Sequence, residues 1–139
     1  MELDAHGTYI FKKTDHILYV NAQGPFNEII VQQYAHDIDE FSCKFNNKKW
    51  VSLTSFYGDS IFTPEAEKYL IAILQGSSDN GLLAHASIIL ESCCRDLQYM
   101  QLTRIHQKSN IAFNIFSDVS SAEKWLEGYT GNSTIQKAQ

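Results

Sequence analysis

Residues His16–Phe45 read HILYVNAQGPFNEIIVQQYAHDIDEFSCKF, an apolar run and a turn followed by apolar residues at three- and four-residue spacing. Such a run predicts a buried strand, His16–Gly24, and the later spacing predicts an amphipathic helix, Asn27–Phe45. The unit recurs as Trp50–Thr54 with Thr63–Gln75, Ala84–Leu90 with Arg95–Gln107, and Ile111–Phe116 with Asp118–Leu126. Strands that alternate with helices need crossover connections, so the sequence predicts a parallel sheet covered by helices.

One further strand precedes this pattern. Gly7–Lys13 ends at the polar pair Thr14-Asp15, and His16 begins the next strand at once, which predicts an antiparallel hairpin. We therefore expect an α/β fold with a single mixed, mostly parallel sheet of about five strands in the order β-β-α-β-α-β-α-β-α. One domain spans residues 1–139, ordered over about 7–128 and followed by a polar tail.

Three local signals mark the helix ends. Asn27 is a good N-cap for the first helix, and either Asp118 or Ser120 can cap the last one. Gly128 is expected to end that last helix.

Composition and charge disfavour several classes of partner and of protein. The 139 residues carry a net charge of −5 with scattered lysines and arginines, which disfavours nucleic acid and anionic membrane surfaces as partners. No apolar run reaches the ~20 residues that span a bilayer, and the acidic start Met1-Glu2-Leu3-Asp4 is unlike a signal peptide. Three cysteines without C-x-x-C spacing fit a cytoplasmic protein rather than a disulfide scaffold.

The element order and two short motifs resemble one family. Gly24-Pro25-Phe26-Asn27 is similar to a turn after the second strand, and Phe116-Ser117-Asp118 with Ala122, Trp125 and Leu126 is similar to a closing strand and helix, of STAS-type, SpoIIAA-like domains. The resemblance covers about residues 7–128. It implies a small cytoplasmic α/β domain related to bacterial anti-sigma-factor antagonists, and it implies a regulatory role.

The segment after the third strand departs from that family. Antagonists of this family place a phosphorylated serine in a turn with a Gly-Leu-Gly element, and residues Thr54–Pro64 lack that element. Ser60 and Thr63 lie in the same neighbourhood, so we take them as possible phosphoacceptors. Branches of the family without the turn have mostly unassigned roles.

The same segment is unusually aromatic. Ligands bind open parallel sheets beyond the carboxyl ends of the strands, and residues Ser55–Phe62 are expected to form a loop there. The expected interaction or ligand surface consists of Phe26, Phe56, Tyr57, Ile61 and Phe62. The alternative is that these side chains fold back over the second helix and cover the core.

No catalytic constellation accompanies the pattern. Cys93-Cys94 can begin the third helix beside Arg95, but no base or resolving partner can be assigned, so we expect buried, inert thiols. The histidines show no metal-ligand spacing, and we expect no metal, no cofactor and no catalytic residue; they are His6, His16, His36, His85 and His106.

Three functions remain open. The first is a non-enzymatic regulatory or protein-interaction module, dimeric and with a protein partner. The second is a carrier or sensor of a small apolar ligand, because lipid-binding CRAL-TRIO domains have a related architecture. The third is a thiol-dependent enzyme that uses Cys93 or Cys94.

Overall fold

A five-stranded sheet with four helices forms the fold in the computed structural model, which describes residues 5–45, 48–77 and 81–130. The strands are β1 Thr8–Lys13, β2 Ile17–Gln23, β3 Trp50–Tyr57, β4 Leu82–Leu90 and β5 Ala112–Phe116. The helices are α1 Glu28–Cys43, α2 Pro64–Ser77, α3 Arg95–Gln107 and α4 Val119–Thr130. The predicted element order is confirmed.

The strand order in the sheet is the chain order, β1-β2-β3-β4-β5. β1 pairs antiparallel with β2, and the other three pairings are parallel, so the predicted mixed α/β sheet is confirmed. The register places Tyr9 of β1 beside Ala22 of β2, and Ala22 beside Phe56 of β3. Because neighbouring partners in a sheet point to the same side, these three side chains share one face.

The helices divide between the two faces of the sheet. On one face α2 packs between α1 and α3, and the larger core cluster lies beneath them. On the other face α4 packs on β3, β4 and β5, with Ala122 and Leu126 in a second core cluster. Strand β3 serves both layers, since Val51 and Leu53 face α4 while Thr54 and Phe56 face the three-helix layer.

The structure identifies the caps of two helices and corrects one predicted helix end. Asn27 caps α1, its side chain accepting from the Ile30 N–H at 3.2 Å, and Asp118 caps α4, accepting from the Ser121 N–H at 2.8 Å. The predicted stop at Gly128 is wrong, because α4 continues to Thr130. Outside the described residues lie Asn46-Asn47 of the predicted turn, residues 78–80 of the predicted loop, and the tail from residue 131.

Strand β3 is longer than predicted. The sequence places its end at Thr54, whereas pairing with both β2 and β4 continues through Tyr57. The predicted loop at Ser55–Phe62 is therefore wrong for its first three residues. Backbone pairing on both sides extends the strand through Phe56 and Tyr57, which are residue types that favour strands.

Candidate functional site

Three of the five predicted surface residues lie inside the protein. Phe26, Phe56 and Phe62 are buried and contact one another, with ring centroids 4.9 Å apart for Phe26 and Phe62 and 6.0 Å apart for Phe26 and Phe56. Tyr57 is 38% exposed and Ile61 is half-buried. The set is therefore divided between core and surface, and the three phenylalanines are not available as a contact patch in the folded protein.

Backbone pairing holds two of these rings in place. The Phe26 N–H donates to the Ile61 carbonyl at 2.8 Å, and the Thr63 N–H donates to the Phe26 carbonyl at 3.0 Å. This short parallel bridge joins the turn after β2 to the segment that enters α2. It fixes Phe26 and Phe62 side by side beneath the helices.

The two possible phosphoacceptors have different surroundings. Ser60 is 2% exposed, its hydroxyl donating to the Tyr57 carbonyl at 2.8 Å and accepting from the Gly24 N–H at 2.9 Å. Thr63 is exposed and caps α2, accepting from the Ala66 N–H at 3.1 Å. Thr63 therefore lies at the surface of the folded protein, and Ser60 is enclosed within it.

A cavity lies between the sheet and the three-helix layer. It encloses about 60 Å³ and is partly open to solvent. That volume is several times the ~10–15 Å³ one water needs and less than half of the ~150 Å³ that holds benzene in an engineered protein. The lining is mainly apolar and comes from β1 to β4, the three helices and the Phe26 and Phe62 segments: Tyr9, Val20, Ala22, Phe26, Ile30, Val31, Tyr34, Thr54, Phe56, Phe62, Leu70, Leu74, His85, Leu102 and His106.

Two histidines form the most polar part of this lining. His85 of β4 and His106 of α3 are both buried, with ring centroids 5.0 Å apart, and His106 stacks on Phe113 at 3.7 Å. Nδ1 of His85 is hydrogen-bonded to the Ser52 hydroxyl. Burial lowers the pKa of His106 to about 4, and burial together with the neighbouring His106 holds the pKa of His85 well below its ordinary value. Both rings are therefore neutral near pH 7.

A tyrosine pair lies at the β1 side of the cavity. Tyr9 packs edge-on against Tyr34 of α1, with centroids 5.6 Å apart, and its hydroxyl donates to the Asp37 carboxylate at 2.5 Å. Burial, and in second place the bond to Asp37, raises the pKa of Tyr9. The hydroxyl therefore stays protonated and serves as a donor to Asp37.

Sequence reasoning missed the two histidines. His85 and His106 are 21 positions apart, on a strand and a helix, so their spacing along the chain matches no metal-binding motif. One signal was available: His85 interrupts the mainly apolar run of β4, LLAHASIIL, where a buried imidazole needs a partner.

The cysteine pair lies elsewhere, at the carboxyl end of β4. The prediction of buried thiols is wrong, because Cys93 is exposed and Cys94 is only half-buried. The Asp59 carboxylate accepts from the Cys93 N–H at 2.7 Å, which lowers the pKa of Asp59. These bonds fix the loop before α3 through its backbone, and they leave the Cys93 side chain at the surface.

One group of potential metal ligands occurs on α1. Ligand atoms of His36, Asp37 and Glu40 lie within 4.8 Å of one another. His36 and Glu40 are exposed and 3.5 Å apart, and Asp37 already accepts from Tyr9. Such exposed acidic groups are common on helix faces, so the group gives no reason to revise the expectation of no metal.

The comparisons with known proteins add no relative. Protein-family models, characterised proteins and solved structures all give no match to this chain. The likeness to STAS-type, SpoIIAA-like domains therefore stays a prediction. Within the described part of the chain, no helix combines the length and apolar character needed to cross a bilayer.

Proposed function

We propose that this domain is a non-enzymatic binding module that takes a small, mainly apolar molecule into the cavity between the sheet and the three-helix layer. The observation that carries the proposal is the cavity itself, an apolar space with a few polar side chains, tyrosines at its β1 side and histidines at its β4 side. Ligand sites commonly combine an apolar lining with a small number of placed polar groups.

Hydrogen bonds fix the backbone of two segments in the cavity wall. Phe26 and Phe62 are paired through their backbones, and the Gln101 side chain is bonded to the Phe62 backbone at 3.0 Å. These bonds set the backbone positions from which the two rings reach the cavity. An apolar occupant would remove the apolar lining of the cavity from water, which is favourable.

The proposal is compatible with the regulatory role expected from the sequence. A ligand that binds one state of a signalling module supplies the input for that module. The protein partner, the dimer and the cytoplasmic location remain predictions beside it.

Filling the cavity tests the proposal. Ala22 lines the cavity from β2, so Ala22→Val places two methyl groups inside it, and valine suits a strand. Ala112→Val is the control, because Ala112 lies on β5 in the cluster that faces α4. Binding of cyclopropane and of propane, both smaller than benzene, is measured by saturation-transfer NMR and by the rise in melting temperature.

We expect both probes to bind the wild type and Ala112→Val, and binding to Ala22→Val to be at least tenfold weaker. Native mass spectrometry of freshly purified protein adds an independent measurement, with a consistent small bound mass expected. Equal probe binding by Ala22→Val and the wild type would place the ligand elsewhere. Absence of binding by every probe would refute the proposed function.

A further inference from the structure

Helix α3 exposes large apolar side chains while it buries polar ones. Its buried residues are the apolar Leu102 and Ile105 and the polar Gln98, Gln101 and His106. On its exposed side Leu97 is 40% exposed, Met100 53% and Tyr99 55%. A surface helix ordinarily places its large apolar residues against the core, and such residues grouped on a surface mark interaction sites. The exposed side of α3 therefore has the character of an interface.

Met100 is at the centre of this exposed side. Each residue advances about 100° around a helix, so Met100 lies nearly opposite the buried Leu102. Asp96, Leu97 and Arg104 lie about one turn from Met100 on the same side of the helix, and all four side chains are exposed. We call these four residues the outer face of α3.

The outer face has opposite charges at its two ends. Asp96 is in the first turn of α3 and Arg104 is in the last. Asp96 has no ion-pair partner among the residues that the structure describes. Nε and Nη2 of Arg104 each donate to the Glu67 carboxylate at 2.6 Å, which fixes the guanidinium in place. A guanidinium has five N–H donors, so Arg104 keeps donors for a second carboxylate.

We propose that the outer face of α3 binds the same face of a second copy of this chain, with the two helices antiparallel about a twofold axis near Met100. Asp96 and Arg104 are each four positions from Met100. In this arrangement Asp96 of each copy lies opposite Arg104 of the other, and Leu97 and Met100 of both copies meet between the two charge pairs. One surface is then complementary to itself, as a twofold interface requires. A parallel arrangement would set like charges against each other.

The interface is small. α3 has 13 residues and is about 20 Å long, so the association belongs to the weak, concentration-dependent class. It is independent of the proposed function, because α3 lines the cavity with Leu102 and His106 from its buried side.

Reversing one charge at a time tests the proposal. Sedimentation equilibrium between about 10 µM and about 1 mM covers the range of a weak dimer. Asp96→Lys sets a lysine opposite Arg104 of the other copy, and Arg104→Glu sets a glutamate opposite Asp96. We expect each variant alone to dimerise at least roughly tenfold more weakly than the wild type, because like charges then meet twice. An equimolar mixture of the two variants should form a heterodimer, since opposite charges meet at both positions again.

Glu65→Lys is the matched control. Glu65 is an exposed acid in the first turn of α2, so the substitution makes the same charge change at the same place in a helix. Glu65 is two positions from Glu67 and therefore lies on a different side of α2. Glu65→Lys should dimerise like the wild type.

Circular dichroism and melting temperature show whether each variant folds, because Arg104→Glu also places a second carboxylate near Glu67. If Arg104→Glu does not fold, Asp96→Lys alone decides. A wild type that stays monomeric at about 1 mM would overturn the proposal and leave the outer face to a different protein. Dimerisation of Asp96→Lys as strong as that of the wild type would also overturn it, as would two folded variants that do not associate when mixed. None of these results affects the binding of probes in the cavity, which is measured separately.

Discussion

The side-chain amide of Gln101 makes both of its hydrogen bonds with the backbone of Phe62. Oε1 accepts from the Phe62 N–H at 3.0 Å, and Nε2 donates to the Phe62 carbonyl at 3.0 Å. Phe62 is also bridged to Phe26. One buried glutamine on α3 therefore binds the segment before α2, which in turn binds the turn after β2.

Removing this amide is expected to destabilise the fold. Gln101→Met keeps a similar volume but leaves the N–H and carbonyl of Phe62 buried and unpaired, which costs about 2–4 kcal/mol. Urea denaturation measures the loss. Gln107→Met, at an exposed position of the same helix, is the control and should change the free energy of unfolding by less than ~0.5 kcal/mol. Equal midpoints for the two variants would contradict the role assigned to Gln101.

Stability is expected to fall in mild acid. His85 and His106 face each other and share the cavity with Tyr9 and Tyr34, and burial depresses both histidine pKa values, that of His106 to about 4. The ordinary pKa of histidine, 6.5, applies in the unfolded chain. Between pH 6.5 and a pH of about 4, the unfolded chain therefore binds protons that the folded chain excludes. The free energy of unfolding therefore decreases as pH falls through this window, by about 3 kcal/mol from His106 alone.

Urea denaturation at pH 7.5, 6.5, 5.5 and 5.0 checks this dependence. His106→Phe should make it shallower, with the contribution of His85 remaining, and His36→Gln, at an exposed position, should leave it unchanged. The same unfolding free energy at pH 7.5 and pH 5.0 would show that the histidines are not buried as neutral groups.

Two glycine substitutions should change the stability of the fold in opposite directions. A Cβ on Gly24 would lie 2.8 Å from the Ser60 Cα, a backbone atom, so Gly24→Ala should cost about 1–3 kcal/mol. A Cβ on Gly128 of α4 would meet nothing within 4 Å, so Gly128→Ala should stabilise by about 0.5–1 kcal/mol. Melting temperatures report both. A stable Gly24→Ala protein would mean that the turn after β2 does not press against the Ser60 segment.

The cysteines should differ in accessibility. Cys43 and Cys93 are exposed, while the Cys94 thiol is half-buried, 3.8 Å from the Gln98 Oε1 atom. Iodoacetamide on the native protein should label Cys43 and Cys93 first and Cys94 several-fold more slowly, as followed by peptide mass spectrometry. Labelling of Cys93 or Cys94 much faster than a free model thiol would instead favour the thiol-dependent enzyme.

The order of strands and helices could be predicted because the apolar pattern that marks each element lies within the sequence of that element. The apolar stripe of α1 and the buried run of β4 follow from spacing alone. The end of β3 could not be predicted this way, since Ser55–Tyr57 join the strand only by pairing with β2 and β4. Such pairing depends on residues distant in sequence.

Only part of the cavity lining could be predicted from the sequence. Phe26, Phe56 and Phe62 stood out as aromatics near strand ends, and they do line the cavity. His106 gave no such signal, because the backbone carbonyl and the two rings that surround it meet only in three dimensions. The exposure of Cys93 likewise depends on how Asp59 fixes its loop.

The agreement between strand order and chain order has a consequence for synthesis. As the nascent chain leaves the ribosome, β1 and β2 emerge first, and each later strand pairs with the strand that emerged just before it. No strand has to insert between two others, so the strands can be added to one edge of the sheet in the order in which they are synthesised.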